Sequence, residues 1–184
     1  MLGNDIVDLQ LAAKQSNWRR KGYLEKIFTE QEQLLIAKAS DKDKMVWLLW
    51  SMKEAAYKIV SIEIGERLYS PKSFECTPNF IDYKINGKVL FEGFCLETFS
   101  EVTKDYIVTT ATAEHNRKIE AYLFDNSTNY IEYFNNHSQH FMLLKNETNL
   151  PAILDLSTEE FCPASVSHHG RYVSIVHPTQ FEPV

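Results

Sequence analysis

The clearest alternation of apolar and polar positions in the chain is the run DKDKMVWLLWSMKEAAYKIVSIEIG, Asp41 to Gly65. Its length and apolar content predict one long helix, capped by Ser40 or Asp41 and stopped near Gly65, a residue suited to a left-handed helix end. Acidic residues early in the run suit the positive end of the helix dipole. Just upstream, Thr29 followed by Glu32 reads as a capping box and predicts a helix to about Ala39. Ile6, Val7 and Leu9 make a short β-like opening, and Leu11 to Glu25 has a mixed pattern that fits one or two short helices.

Beyond Gly65 the period changes. Residues 73–77, 80–85, 88–91, 94–99, 106–113 and 118–124 are rich in β-branched and aromatic side chains and predict strands. Asn86-Gly87 predicts a two-residue hairpin turn. Ser127 is a candidate cap for a polar helix reaching about Leu144, and residues 164–166 and 171–176 read as two strands around a His168-His169-Gly170 turn. Helices first and hairpin-linked strands later predict an α+β fold, helices packed on a mostly antiparallel sheet.

Composition narrows the class. A chain of 184 residues with 44% hydrophobic and 24% charged content suits one soluble domain with a real core. We read residues 1–184 as a single domain with a strand-rich insertion around 70–150. No apolar run approaches the roughly 20 residues of a membrane span, and MLGNDIVDLQ lacks the pattern of a signal peptide. The odd, scattered Cys76, Cys95 and Cys162 suit reduced thiols in a cytosol, so the expectation is a cytoplasmic protein with no membrane partner. A formal charge of −6 argues against non-specific binding to nucleic acid. It also means that an acidic protein partner would need a local basic patch, for which Arg19, Arg20, Lys21 and Lys26 are candidates.

Three segments hold candidate chemistry. On the long helix Trp50, Glu54 and Lys58 recur every four residues and share a face, with Lys53 beside Glu54. A carboxylate flanked by lysines can hold a divalent cation beside a phosphate chain, or it is an ordinary exposed ion pair. In GNDIVDL, Asp5 and Asp8 sit at a strand end, and Gly3 permits close backbone approach; Asp8 can equally cap the next helix. SVSHHG, Ser165 to Gly170, suits a phosphate-binding turn or a plain polar hairpin loop. Its Ser-His pair lacks the G-x-S-x-G setting of a hydrolase nucleophile. His137 and His140, three apart, have a metal-compatible spacing but lie in a run of polar neighbours that reads as a solvated face.

Taken in order, GNDIVDL, WSMKEAAYK and SVSH resemble the motif set of the 4'-phosphopantetheinyl transferase superfamily: G-x-D near a strand, W-x-x-K-E-A-x-x-K on a helix, and an S-x-S-H turn. Trp50, Lys53, Glu54, Ala55 and Lys58 match the second motif at every defined position. Because the S-H turn comes last, and KIFTEQE precedes the long helix, the chain is most similar to the small holo-acyl-carrier-protein synthase type. The resemblance implies transfer of 4'-phosphopantetheine from coenzyme A to a serine of an apo acyl carrier protein, with release of 3',5'-ADP. It implies Mg²⁺ on Asp5 and Glu54, and Lys53 and Lys58 on phosphates, with Lys53 and Glu54 at the reacting centre. It also implies a homotrimer in which Ser167 and His168 reach the coenzyme from a neighbouring chain. The chain departs from the pattern in two places. Leu11 stands where small members carry an Arg, and Val7 stands where large members carry a second acid, leaving water or Asp8 to complete the metal shell.

Two other classes fit parts of the sequence. A non-catalytic coenzyme A- or carrier-binding member of the same fold has no need of Asp5, Lys53, Glu54 and Lys58 together. An unrelated Mg²⁺-dependent phosphate-ester hydrolase would want a richer carboxylate cluster.

Overall fold

The computed structural model describes residues 1–67, 70–81, 84–114, 118–126 and 129–179. β1 (Leu2–Asp8) leads into α1 (Leu9–Gln15), then α2 (Tyr23–Ile27), α3 (Glu30–Lys38) and α4 (Lys42–Ile64). The expected caps are present. Thr29 and Glu32 close a capping box on α3; Asp41 accepts from the Lys44 amide to start α4, and Gly65, at φ 74°, ends it.

A 3₁₀ turn (Pro71–Ser73) precedes β2 (Glu75–Ile81), β3 (Lys84–Phe91), β4 (Phe94–Val102) and β5 (Tyr106–Thr112). With β1 these make a five-stranded sheet in the order β1-β5-β4-β3-β2, antiparallel throughout. Pro78 sits in β2, an edge strand, where a missing N–H costs no ladder bond.

The Asn86-Gly87 turn is not formed. Both residues lie inside β3, paired with Asn79 and Pro78. The β3–β4 turn is made by Glu92 and Gly93 at φ 42° and 92°, the two left-handed residues a tight hairpin requires. Gly87 has a packing role: a Cβ there would lie 2.7 Å from the Met52 Cε on α4.

α4 crosses this sheet and buries eleven of its residues, from Val46 to Val60. Burial of each large aliphatic side chain contributes roughly 1.5–3 kcal/mol, far more than helix propensity. The helix comes closest at Gly3, where an added Cβ would lie 2.3 Å from the Ala55 carbonyl oxygen, so only glycine lets β1 and α4 touch. The period-two alternation of β1 then turns Asp5 and Val7 to α4 and Asn4 to the other side.

The later chain builds a second unit. β6 (Ile119–Asp125) is followed by α5 (Tyr130–His137), β7 (Phe141–Lys145), β8 (Pro151–Asp155), β9 (Phe161–Pro163), β10 (Ser165–His169) and β11 (Tyr172–Pro178). They form two three-stranded sheets, β10-β11-β6 and β7-β8-β9, over a core of Phe134, Leu143, Ile153, Cys162, Val173 and Ile175. The strand-rich stretch expected at 70–150 therefore divides: up to Thr112 it completes the main sheet, and beyond that it belongs to the second core. α5 is shorter than the pattern predicts. Asn129 caps it, His137 ends it, and Phe141 onward is strand; the candidate cap Ser127 lies outside the described residues. His168 and His169 are strand residues, and the reversal falls at Gly170, φ 54°. Among the described residues no helix is long and apolar enough to cross a membrane.

Candidate active site

β1 and β10 belong to different sheets, and side chains sew them together. The Asn4 amide donates to the Ser165 Oγ (3.1 Å), the Ser165 hydroxyl donates to the Asn4 Oδ1 (2.8 Å), and the Asn4 Nδ2 donates to the carbonyl and hydroxyl of Ser174. At the far end the Asp8 amide donates to the His169 Nδ1 at 2.9 Å. Asn4 was given no role in the sequence reading, and His169 only a place in the SVSHHG turn.

Lys58 enters the same seam from α4. Its ammonium donates to the Asn4 carbonyl (2.6 Å) and the Val166 carbonyl (3.0 Å). Beside it lie Asp5 and Glu54, and the three titrate as neighbours. The Asp5 carboxyl is pushed up to about 7, first by burial, with Lys58 opposing and Glu54 adding. The Ser51 hydroxyl and the Ile6 amide lower it by smaller amounts. Burial raises Glu54 as well, again against Lys58, and burial lowers Lys58 against the pull of both acids. Among the described residues the buried Asp5 Oδ2 has no hydrogen-bond partner. Two desolvated carboxylates facing one ammonium leave an excess negative charge and an unfilled acceptor.

A cavity of about 200 Å³ opens here, lined by Asp5, Ser16, Tyr23, Trp47, Trp50 and the two histidines His168 and His169, among others. Trp50 also walls a second hollow of about 320 Å³, shared with Glu54, Tyr57, Pro71 and Phe74. Trp50 thus borders both the hollow that Asp5 lines and the one that Glu54 lines. His168 lines the first cavity within its own chain, where the second unit folds back along β1. Ser167 is buried, and among the described residues its Oγ has no hydrogen-bond partner.

Lys53 departs from the role the resemblance implies. Its side chain is 1% exposed, and its ammonium is taken by the Glu32 Oε1 at 2.8 Å and by the Phe74 carbonyl. It lies one position round the helix from Glu54, which turns it into the core. Glu32, read from sequence only as a capping residue, is therefore the centre of a buried network that also accepts the Cys76 amide at 2.8 Å. Asp8 departs too. It caps α1 and is gripped by the amide and guanidinium of Arg171, which with its capping bonds outweigh burial and lower its carboxyl to about 2. It has no free edge for a metal.

Arg19 is likewise occupied, forked onto Asp43 at 2.9 and 2.7 Å and stacked on Trp18. Arg20 lies over the Tyr23 ring, and Lys21 is exposed. Tyr23 lines the cavity, so Arg20 lies against one of its walls. His137 bonds the Tyr133 carbonyl and stacks on the Tyr133 ring, as expected of a helix-surface residue. Among the described residues there is no group of three or more His, Cys, Asp or Glu able to hold a metal.

The family model of the 4'-phosphopantetheinyl transferase superfamily matches residues 1–111. That span covers well over half of the 184 residues and includes Asp5, Glu54 and Lys58, and the chain belongs to this superfamily. No curated protein matches the sequence.

Proposed function

We propose that this protein transfers 4'-phosphopantetheine from coenzyme A to a serine of an apo acyl carrier protein, with Mg²⁺ held by Asp5 and Glu54. The observation that carries the reading is the pairing of two desolvated carboxylates, one with an unfilled buried oxygen, beside Lys58 and an open cavity. This donor set fits Mg²⁺, which takes one or two protein carboxylates and completes its shell with water and substrate phosphate. Bound there, the ion would neutralise charge on the pyrophosphate as the leaving group departs.

The chain's own residues position and hold charge. In the reaction the serine oxygen forms a bond to the β-phosphorus, and the bond from that phosphorus to the 3',5'-ADP oxygen breaks. The serine proton passes to water or to Glu54. Lys58, pinned by two carbonyls, offers its positive field to the phosphates without a flexible arm's entropy cost. His168 is exposed at the cavity and reaches the nucleotide end. On this reading the site is complete within one chain, and activity does not require a trimer.

A non-catalytic coenzyme A-binding member of the fold draws on one observation, the withdrawal of Lys53 into the core. Intact-mass analysis separates the two. Incubation with coenzyme A, Mg²⁺ and a panel of apo-carriers should add one phosphopantetheine to at least one carrier. Unchanged masses across fatty-acid, polyketide and peptide carriers would overturn the transfer reading.

A further inference from the structure

His169 follows the S-x-S-H motif and is no part of it, yet the structure gives it a defined chemical state and a place in the cavity. Its Nδ1 accepts the Asp8 amide at 2.9 Å, so the ring must carry its proton on Nε2. The same ring lines the cavity that holds Asp5 and His168. Burial lowers its proton affinity, and the ring is neutral at physiological pH with a single donor, Nε2–H. Among the described residues that Nε2 has no protein partner. A backbone-locked tautomer in a cavity is a preorganised donor: the cost of orienting it is met in folding and not on binding.

We propose that His169 Nε2–H donates to a phosphate oxygen of the coenzyme in this cavity, as a second histidine beside His168. This rests on the transfer reading above and adds a binding residue to it. The structural role and the binding role use different ring nitrogens, so they can be removed one at a time. His169→Asn sets an amide oxygen near the place of Nδ1 and keeps the Asp8 clasp, but nothing reaches where Nε2 was. His169→Gln sets an amide N–H near the place of Nε2 and loses the clasp.

The test uses the full chain, with coenzyme A or inorganic pyrophosphate titrated against the fluorescence of Trp47 and Trp50, which line the same cavity. Steady-state KM values for coenzyme A and carrier are read alongside. His169→Asn should melt near wild type and bind coenzyme A about ten- to a hundredfold more weakly, with the carrier KM unchanged. His169→Gln should melt lower but keep the tighter coenzyme binding of the two. If wild type transfers and His169→Asn equals it in coenzyme A affinity and KM, the proposal is overturned and the transfer reading stands. If wild type fails to transfer while pyrophosphate binds and His169→Asn weakens it, the donor role stands and the transfer reading falls. Should His169→Asn not fold, His169→Gln decides: a loss of coenzyme affinity as large as that of His169→Ala overturns the proposal.

Discussion

The Lys58 ammonium donates to the Asn4 carbonyl oxygen at 2.6 Å, one residue from the Asp5 whose carboxyl it faces. A helix residue thereby grips the strand backbone that presents the metal-type carboxylate, and its second bond, to Val166, ties in β10. Lys58→Met should therefore cost both stability and coenzyme A affinity. Losing one charge of a buried cluster costs about 3–5 kcal/mol, a loss that chemical denaturation would read directly. A loss of affinity with an unchanged denaturation midpoint would mean that the clasp carries no weight.

Asp5 has an unusual sign. Its native carboxyl lies near 7, above the ordinary 3.8, so the folded state holds a proton that the unfolded state releases. Stability should fall as pH rises from about 4 to about 7, and the metal-free protein should melt lower at pH 8 than at pH 5 from this group alone. Asp5→Asn removes the penalty: in EDTA at pH 8 its melting temperature should equal or exceed that of wild type. Mg²⁺ at a concentration that raises the melting temperature of wild type should leave Asp5→Asn unmoved. Transfer should collapse in both Asp5→Asn and Glu54→Gln, with partial recovery at high Mg²⁺. Near-wild-type rates in both variants would remove the two acids from the site.

Asp8 works the other way. Its carboxyl lies near 2, so its contribution is fully present above about 4 and is lost as pH falls toward 2. Asp8→Ala removes a helix cap and the Arg171 contact, and should cost roughly 1–3 kcal/mol of stability. The Mg²⁺ concentration for half-maximal activity should not change. A shift there would return Asp8 to the metal shell.

For Lys53 the buried pair makes a double-mutant prediction. Lys53→Met should destabilise by about 3–5 kcal/mol because Glu32 is left charged and unpaired at 1% exposure. Lys53→Met combined with Glu32→Gln should recover most of that loss, since removing both charges of a buried pair is often neutral. The double variant should also keep its KM for coenzyme A. A large rise in that KM despite restored stability would show Lys53 on a phosphate.

Carrier encounter should run through Arg20 and Lys21, because Arg19 is already neutralised by Asp43. Charge reversal at Arg20 and Lys21 should raise the carrier KM, most at low salt and less as added salt screens the repulsion, and leave the coenzyme A KM nearly unchanged. Equal effects on both substrates would move these residues away from docking.

Local rules determined much of this protein from its sequence alone. The capping box at Thr29 and Glu32, the span of α4, the β1 opening and the four-residue spacing of Trp50, Glu54 and Lys58 all depend on neighbours a few positions away. Glu54 and Lys58 could accordingly be placed on one face, and the family resemblance joined Asp5 to them. Tertiary structure decided what each polar group does once it is placed. Asn86-Gly87 satisfies a hairpin turn locally, but Gly87 is spent under Met52, and the reversal moves to Glu92-Gly93. Lys53 and Glu54 are adjacent letters in one motif. A 100° step round the helix sends one to a buried carboxylate 21 residues upstream and leaves the other beside Lys58 and Asp5. Asp8, read as cap or ligand, becomes a cap because Arg171 folds back onto it across the whole length of the chain. Burial and long-range partners set these outcomes, since desolvation makes an unpaired charge so costly that whichever counter-charge the fold brings near decides the role.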